Sequence, residues 1–169
     1  GSQKMVFLSG NNEFNQNGIK WFLKEVFPVI RKSFPSAELL VGGSICKVLP
    51  SLGKIDGVTA MGYIDDPAEF YAKADVAINP VYQGTGLKIK TFEAISYDKV
   101  TLVHPHSMAG VFRKDDAPLF ASNKPEDWVA FLKNIWGHTD AINAIKLKNN
   151  EYLKAMNEFI VSEYNRFIN

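Results

Sequence analysis

"ADVAINPVYQGTGLKIKTFEAISYDKVTLVHP", residues 74–105, decides the fold. It opens on an apolar, β-prone run, breaks at a glycine-rich loop, resumes with a helix-like stretch and closes on a second apolar run. Strand, loop, helix and strand in that order make a βαβ unit, whose two strands lie parallel. Strands that read as continuous apolar runs, rather than alternating ones, belong to a parallel sheet covered on both faces.

The same alternation extends in both directions. Upstream, "MVFLSG" reads as a strand and "GIKWFLKEVFPVIRKSF" as a helix starting at Gly18, with Ile19, Phe22, Val26, Ile30 and Phe34 at helical spacing. Pro28 removes one hydrogen bond from that helix and should kink it. "AELLVGG" and "GVTAMGYI" are further strands, with a weak helical turn at "ICKVLPSL" and a short helix at "PAEFYAKA". Downstream, "APLFA" is a small last strand, "KPEDWVAFLKNIW" a helix with proline in its first turn, and residues 141–168 a long amphipathic helix. The expected fold is α/β, a Rossmann-like parallel sheet with helices on both faces.

Composition narrows the function. A chain of 169 residues, 46% hydrophobic, can bury one sizeable core, so residues 1–169 read as a single domain. The opening "GSQK" reads as a cloning remnant and hints at a piece of something longer. Nineteen Lys and Arg against eighteen Asp and Glu leave no charge excess to draw the molecule to nucleic acid. The single cysteine, Cys46, excludes an internal disulfide and a CxxC metal site, fits a reducing compartment, and reads as a small buried hydrophobe. No apolar run reaches the ~20 residues of a membrane-spanning helix.

Ligands of an open parallel sheet sit at the carboxyl ends of its strands. The loops to inspect are therefore residues 10–18, 42–44, 62–66 and 80–87, where Gly10, Gly43, Gly84 and Gly86 let backbone approach a ligand closely. The "GTGLKIK" loop is the most informative. Free N–H groups around Gly84, Thr85, Gly86 and Leu87, a helix start, and the charges of Lys88 and Lys90 together suit a diphosphate. The spacing is neither that of a Walker loop nor GxGxxG, which would need glycine at Ile89. Two residues apart in a helix point roughly 200° from each other, so only one of the two lysines should face the ligand. Glu93, further along, has the chemistry to accept two ribose hydroxyls, or to be a plain surface carboxylate. Asp65–Asp66 and Asp115–Asp116 read as solvated loop charge. His104 and His106 either approach the ligand or are polar surface groups.

These residues, in this order, resemble the C-terminal, donor-binding half of glycosyltransferases of the GT-B fold, the glycosyl transferases group 1, specifically the retaining family four. The resemblance rests on "FLSGNNEFNQNGIKWFLKEVFPVIRKSFPSAELLVGG", "VTAMGYIDDPAEFYAKADVAINPVYQGTGLKIKTFEAIS" and "KVTLVHPHSMAG", nearly the whole chain. It implies a UDP-sugar or GDP-sugar donor and no cofactor or metal. The pyrophosphate would lie on the "GTGLKIK" loop, the ribose on Glu93, and the nucleobase against backbone at Tyr63 and Ile64. It also implies an N-terminal acceptor-binding domain outside this chain, without which these residues are inactive, and a last helix (140–169) that crosses back towards that domain with part of its apolar face exposed. A role in surface polysaccharide synthesis, in the cytoplasm and peripheral to the inner membrane face, is the family-level expectation.

The chain departs from that family twice. Many members carry a second glutamate eight positions before the ribose glutamate, where this chain has Thr85, and an Arg and Lys after the first strand, where it has Asn11 and Asn17. Lys88 or Lys90 is expected to replace the missing charge and to stabilise the departing diphosphate. Two other readings stay open: a sugar-nucleotide epimerase of similar fold, and a non-enzymatic module whose pocket is vestigial.

Overall fold

The protein is described here by a computed structural model covering residues 2–85 and 89–169. The strands β1 (Lys4–Leu8), β2 (Glu38–Gly42), β3 (Val58–Gly62), β4 (Val76–Asn79), β5 (Val100–Val103) and β6 (Leu119–Ala121) form one parallel sheet in the order β3-β2-β1-β4-β5-β6. Connections from β1 run outward to one edge and those from β4 to the other. The loops leaving β1 and β4 therefore diverge, and a crevice opens between them.

Alternation along each strand divides the core. Met5, Phe7, Leu39, Val41, Val76 and Ile78 face one side, where they meet α1 (Glu13–Trp21), α2 (Phe27–Ser33), α5 (Pro125–Lys133) and Ile142 near the start of α6 (Thr139–Ile168). Val6, Leu40 and Ala77 face the other, against residues of α3 (Pro67–Tyr71) and α4 (Ile89–Ser96). The expectation of cover on both faces holds for the central strands but not for β3, whose Thr59, Ala60 and Met61 are exposed. It is the last strand on its edge, and among the described helices it chiefly meets the 3₁₀ helix Ser44–Leu52.

The first helix differs from the sequence reading at its start and is interrupted where proline predicts. The first helix begins at Glu13, not Gly18, because Asn12 caps it by accepting the Asn15 N–H at 2.8 Å. Gly18 thus lies inside the helix, where a Cβ would come 3.0 Å from the Val81 Cα; glycine there lets α1 pack on the segment after β4. Ahead of Pro28 the helix passes through a π-helical turn, Phe22–Val26, in which the Phe27 N–H reaches the Phe22 carbonyl. The interruption expected at the proline takes this form.

Cys46 is half-buried, and its thiol donates to the Val41 carbonyl at 3.1 Å. At the other end of the chain α6 packs through Ile142, Asn149 and Tyr152, after which every residue from 157 to 169 is exposed. Among the described residues no helix is long and apolar enough to cross a membrane.

Candidate functional site

The crevice has one wall from β1 and α1 and another from β4 and α4. On the second wall, the buried Asn79 amide donates to the Thr91 hydroxyl at 2.7 Å, tying the end of β4 to the first turns of α4. Lys90 and Glu93 stand three positions apart on α4, so they share a face. Lys90 crosses the crevice: its ammonium donates to Asn15 Oδ1 at 3.2 Å, and the Asn15 amide donates in turn to the Gly10 carbonyl at 3.1 Å. A second bridge joins Asn17 Nδ2 to Gln83 Oε1 at 2.7 Å. A lysine and the side-chain amides of Asn15, Asn17 and Gln83 are thereby gathered across the crevice, a cationic and amide-rich arrangement suited to a phosphate.

Glu93 faces α3. The Tyr71 hydroxyl donates to one of its carboxylate oxygens at 3.3 Å, while the Tyr71 ring stacks on Tyr97 with centroids 4.9 Å apart. Burial, and then the charge of Glu93, push the Tyr71 phenol well above its ordinary range, so it remains a donor at any physiological pH. That bond occupies one oxygen of Glu93 from within the fold.

The other sequence candidates fall into distinct groups. Gly10 lies beside the β2 loop, with its Cβ position 4.0 Å from Ser44 Oγ. Gly43 has φ +90° and its Cβ position is 2.3 Å from the Ser9 carbonyl oxygen, while its N–H donates to the Gly62 carbonyl at 2.7 Å. Glycine is therefore required at 43 by the meeting of two loops, and its N–H is spent inside the fold. Tyr63 is 86% exposed, and Ile64 is half-buried against the second core. Gly84 and Thr85 follow β4 on the crevice side, whereas Gly86, Leu87 and Lys88 lie outside the described residues.

Several participants carry no obvious sequence signal. Asn15 and Gln83 read as loop or helix-surface amides, and Tyr71 as an apolar helix position. Asp66 is a helix cap, accepting from the Ala68 and Glu69 N–H groups at 3.0 and 3.4 Å. Asn11 Oδ1 accepts from Gln16 at 2.9 Å, so Asn11 and Asn17 are both held by neutral side chains. His106 contacts the Gly84 carbonyl at 2.7 Å. Among the described residues no group of three or more His, Cys, Asp or Glu is placed to hold a metal ion.

A cavity of about 630 Å³ lies elsewhere, lined by the first residues of β5 and β6, Val100 and Leu119, and by α6. It sits at the opposite end of the sheet from these residues.

Comparison with known proteins gives the arrangement a lineage. The chain is 25% identical over 141 residues to a 44.6 kDa protein in the cps region of Klebsiella pneumoniae, itself uncharacterized, covering 78% of this chain and 36% of that protein. Its fold matches that of TarM with a TM-score of 0.75 at 11% identity, over 99% of this chain and 35% of TarM. It also matches HepE of Anabaena, solved in complex with UDP and glucose, with a TM-score of 0.69 at 11% identity, over 97% of this chain and 48% of HepE. The fold is thus the Rossmann-like half of a GT-B architecture, and the chain spans less than half the length of each of these proteins. The family model for glycosyl transferases group 1 matches residues 2–138, and the chain belongs to that family.

Proposed function

We propose that this chain is the donor-binding domain of a retaining, family-four glycosyltransferase, taking a UDP-sugar or GDP-sugar and working with an N-terminal acceptor domain of the same protein. The observation that carries the reading is the pairing of Lys90 and Glu93 on one face of α4, at the point where the sheet order reverses. Lys90 is aimed across the crevice at Asn15, so its charge is held at the crevice where a diphosphate would sit. Glu93 keeps one carboxylate oxygen on Tyr71 and offers the remaining lone pairs to a ribose diol. Support for a separate acceptor domain comes from the 35% and 48% shares of TarM and HepE that the chain spans.

Breaking the bond between sugar and diphosphate leaves charge on the departing phosphate. Lys90, with Lys88 beside it in sequence, stabilises that charge, so the role of these lysines is electrostatic rather than nucleophilic. Acceptor contacts belong mainly to the N-terminal domain, and the domain alone binds donor without transferring sugar. In the full-length protein we place this activity in surface polysaccharide synthesis at the inner membrane face.

Calorimetric titration with UDP, GDP and ADP tests the reading. One uracil or guanine diphosphate should bind, and Glu93→Ala should weaken it about tenfold, the equivalent of about 1.4 kcal/mol. Absence of binding by all three diphosphates overturns it.

A further inference from the structure

The turn that follows β5 grips the segment that follows β4. The His104 N–H donates to the Asn79 carbonyl at 3.0 Å, extending the β4–β5 ladder by one step. Beyond it the chain enters a 3₁₀ turn, Pro105–Met108. Ser107, fully buried, donates its hydroxyl to the Val81 carbonyl at 2.9 Å. The His104 ring packs near Tyr82, with centroids 5.7 Å apart, and edge-on against Trp21 at 5.2 Å. His106 Nε2 meets the Gly84 carbonyl oxygen at 2.7 Å. Val81, Tyr82 and Gly84 are thus each held by a residue of the same short turn.

The chemistry of the last contact sets its direction. A carbonyl oxygen only accepts, so His106 carries a proton on Nε2 and donates. The His106 N–H donates to His104 Nδ1 at 3.0 Å, which makes that nitrogen the acceptor of the neighbouring ring. Peptide units are planar and trans, and the carbonyl and the following N–H point in opposite directions. Holding the Gly84 oxygen towards His106 therefore turns the Thr85 N–H away from it.

We infer that His106 is a positioning residue of the phosphate site: through the Gly84 carbonyl it sets the Gly84–Thr85 peptide so that the Thr85 N–H is preoriented for the donor diphosphate. The inference rests on the nucleotide-sugar reading of the crevice. His106 itself makes no contact with the donor in this scheme, and its contribution is to remove the cost of orienting a peptide when the ligand arrives. The nucleoside end of the ligand, lying at the Tyr63 loop, is independent of it.

The test compares UDP with uridine, titrated by NMR into the wild-type chain and into His106→Leu, His106→Gln and Glu93→Ala. Loss of one oriented donor should weaken UDP about three- to tenfold in His106→Leu, with uridine unchanged. His106→Gln, which keeps a donor near the position of Nε2, should recover most of the loss. If His106→Leu does not fold, His106→Asn replaces it, since Asn is too short to reach the Gly84 oxygen and carries the same expectation. Unchanged UDP affinity, or equal losses for UDP and uridine, overturns the inference while the reading of the site stands. If calorimetry selects GDP, then GDP and guanosine take the places of UDP and uridine; failure of the wild type to bind either diphosphate, or of Glu93→Ala to weaken either ligand, overturns that reading and the inference with it.

Discussion

On the face of the sheet that receives α1, α2 and α5, the strands pack against Trp128, Phe22 and Phe27, each at most 1% exposed. On the face that receives α3 and α4, the strands present Ala77 and meet Ala74 and Ala94, with Phe70 and Tyr71 as the large members. Bulky rings on the first face fill the space between layers and hold the strands in place. Small residues on the second let α4 come close to β4, which brings Lys90 and Glu93 to the mouth of the crevice. The thick layer supplies rigidity and, through α1, Asn15 and Asn17, while the thin one carries Lys90 and Glu93, so changes in the buried rings and on α4 should have different readouts. Trp21 links the first face to the turn after β5, since its ring contacts Trp128 in the core and His104 at that turn.

The largest effect expected is on stability. Trp128→Ala removes a fully buried ring and the Nε1–H bond to the Ser122 carbonyl, and should cost about 3–5 kcal/mol in urea denaturation. Measured well below its melting temperature, that variant should bind UDP within about twofold of wild type, because a core cavity weakens the fold without moving α4. A proportionate loss of binding would break the separation of the rings from α4.

On the thin face the expectation reverses. Lys90→Ala, with Lys88→Ala beside it, should weaken UDP about tenfold for the lysine that faces the phosphate, the size of a charge-assisted contact, and leave the urea midpoint almost unchanged. If neither lysine matters, the charge lost at Asn11 and Asn17 has not been replaced. Tyr71→Phe is smaller in effect. It keeps the stack on Tyr97 and deletes only the hydroxyl that holds Glu93, so UDP should weaken about threefold with a stability change near 1 kcal/mol.

The smallest effect is a pH dependence at the turn after β5. Burial, and then the charge of His106, hold the His104 pKa below its usual 6.5. The unfolded chain therefore takes up a proton that the folded chain resists, so this stability is fully present above about pH 6.5 and is lost as pH falls below it. The difference in urea midpoint between pH 7.5 and 5.5 should be smaller in His104→Phe than in wild type, which isolates His104 from the other two histidines.

Parts of this site were legible from the chain and parts were not. Lys88 and Lys90 stood out as charges at a helix start after a glycine loop, with no local signal to choose between them, and Glu93 read either as a ribose ligand or as a surface carboxylate. Tyr71 did not stand out, because a tyrosine at an apolar helical position reads as core, which is where its ring lies. Asn15 was obscured by placing the first helix start at Gly18, although Asn12 followed by an acidic residue is a capping signal. Gly43, a donor-site candidate by sequence, is required by the close approach of Ser9, a contact between residues 34 positions apart.

Residues alone determined the order of strands and helices and the parallel character of the sheet, and singled out the glycine-rich loop after β4 as the phosphate-site candidate. Those follow from local periodicity, glycine spacing and charge, all of which act over a few residues. Only the tertiary structure decided that Lys90 reaches Asn15 across the crevice, that Tyr71 takes one oxygen of Glu93, and that His106 holds the Gly84 carbonyl. Each of these joins residues on different elements, 22 to 75 positions apart. Such pairs depend on which strands become neighbours and how closely the layers pack, and no local pattern encodes that distance.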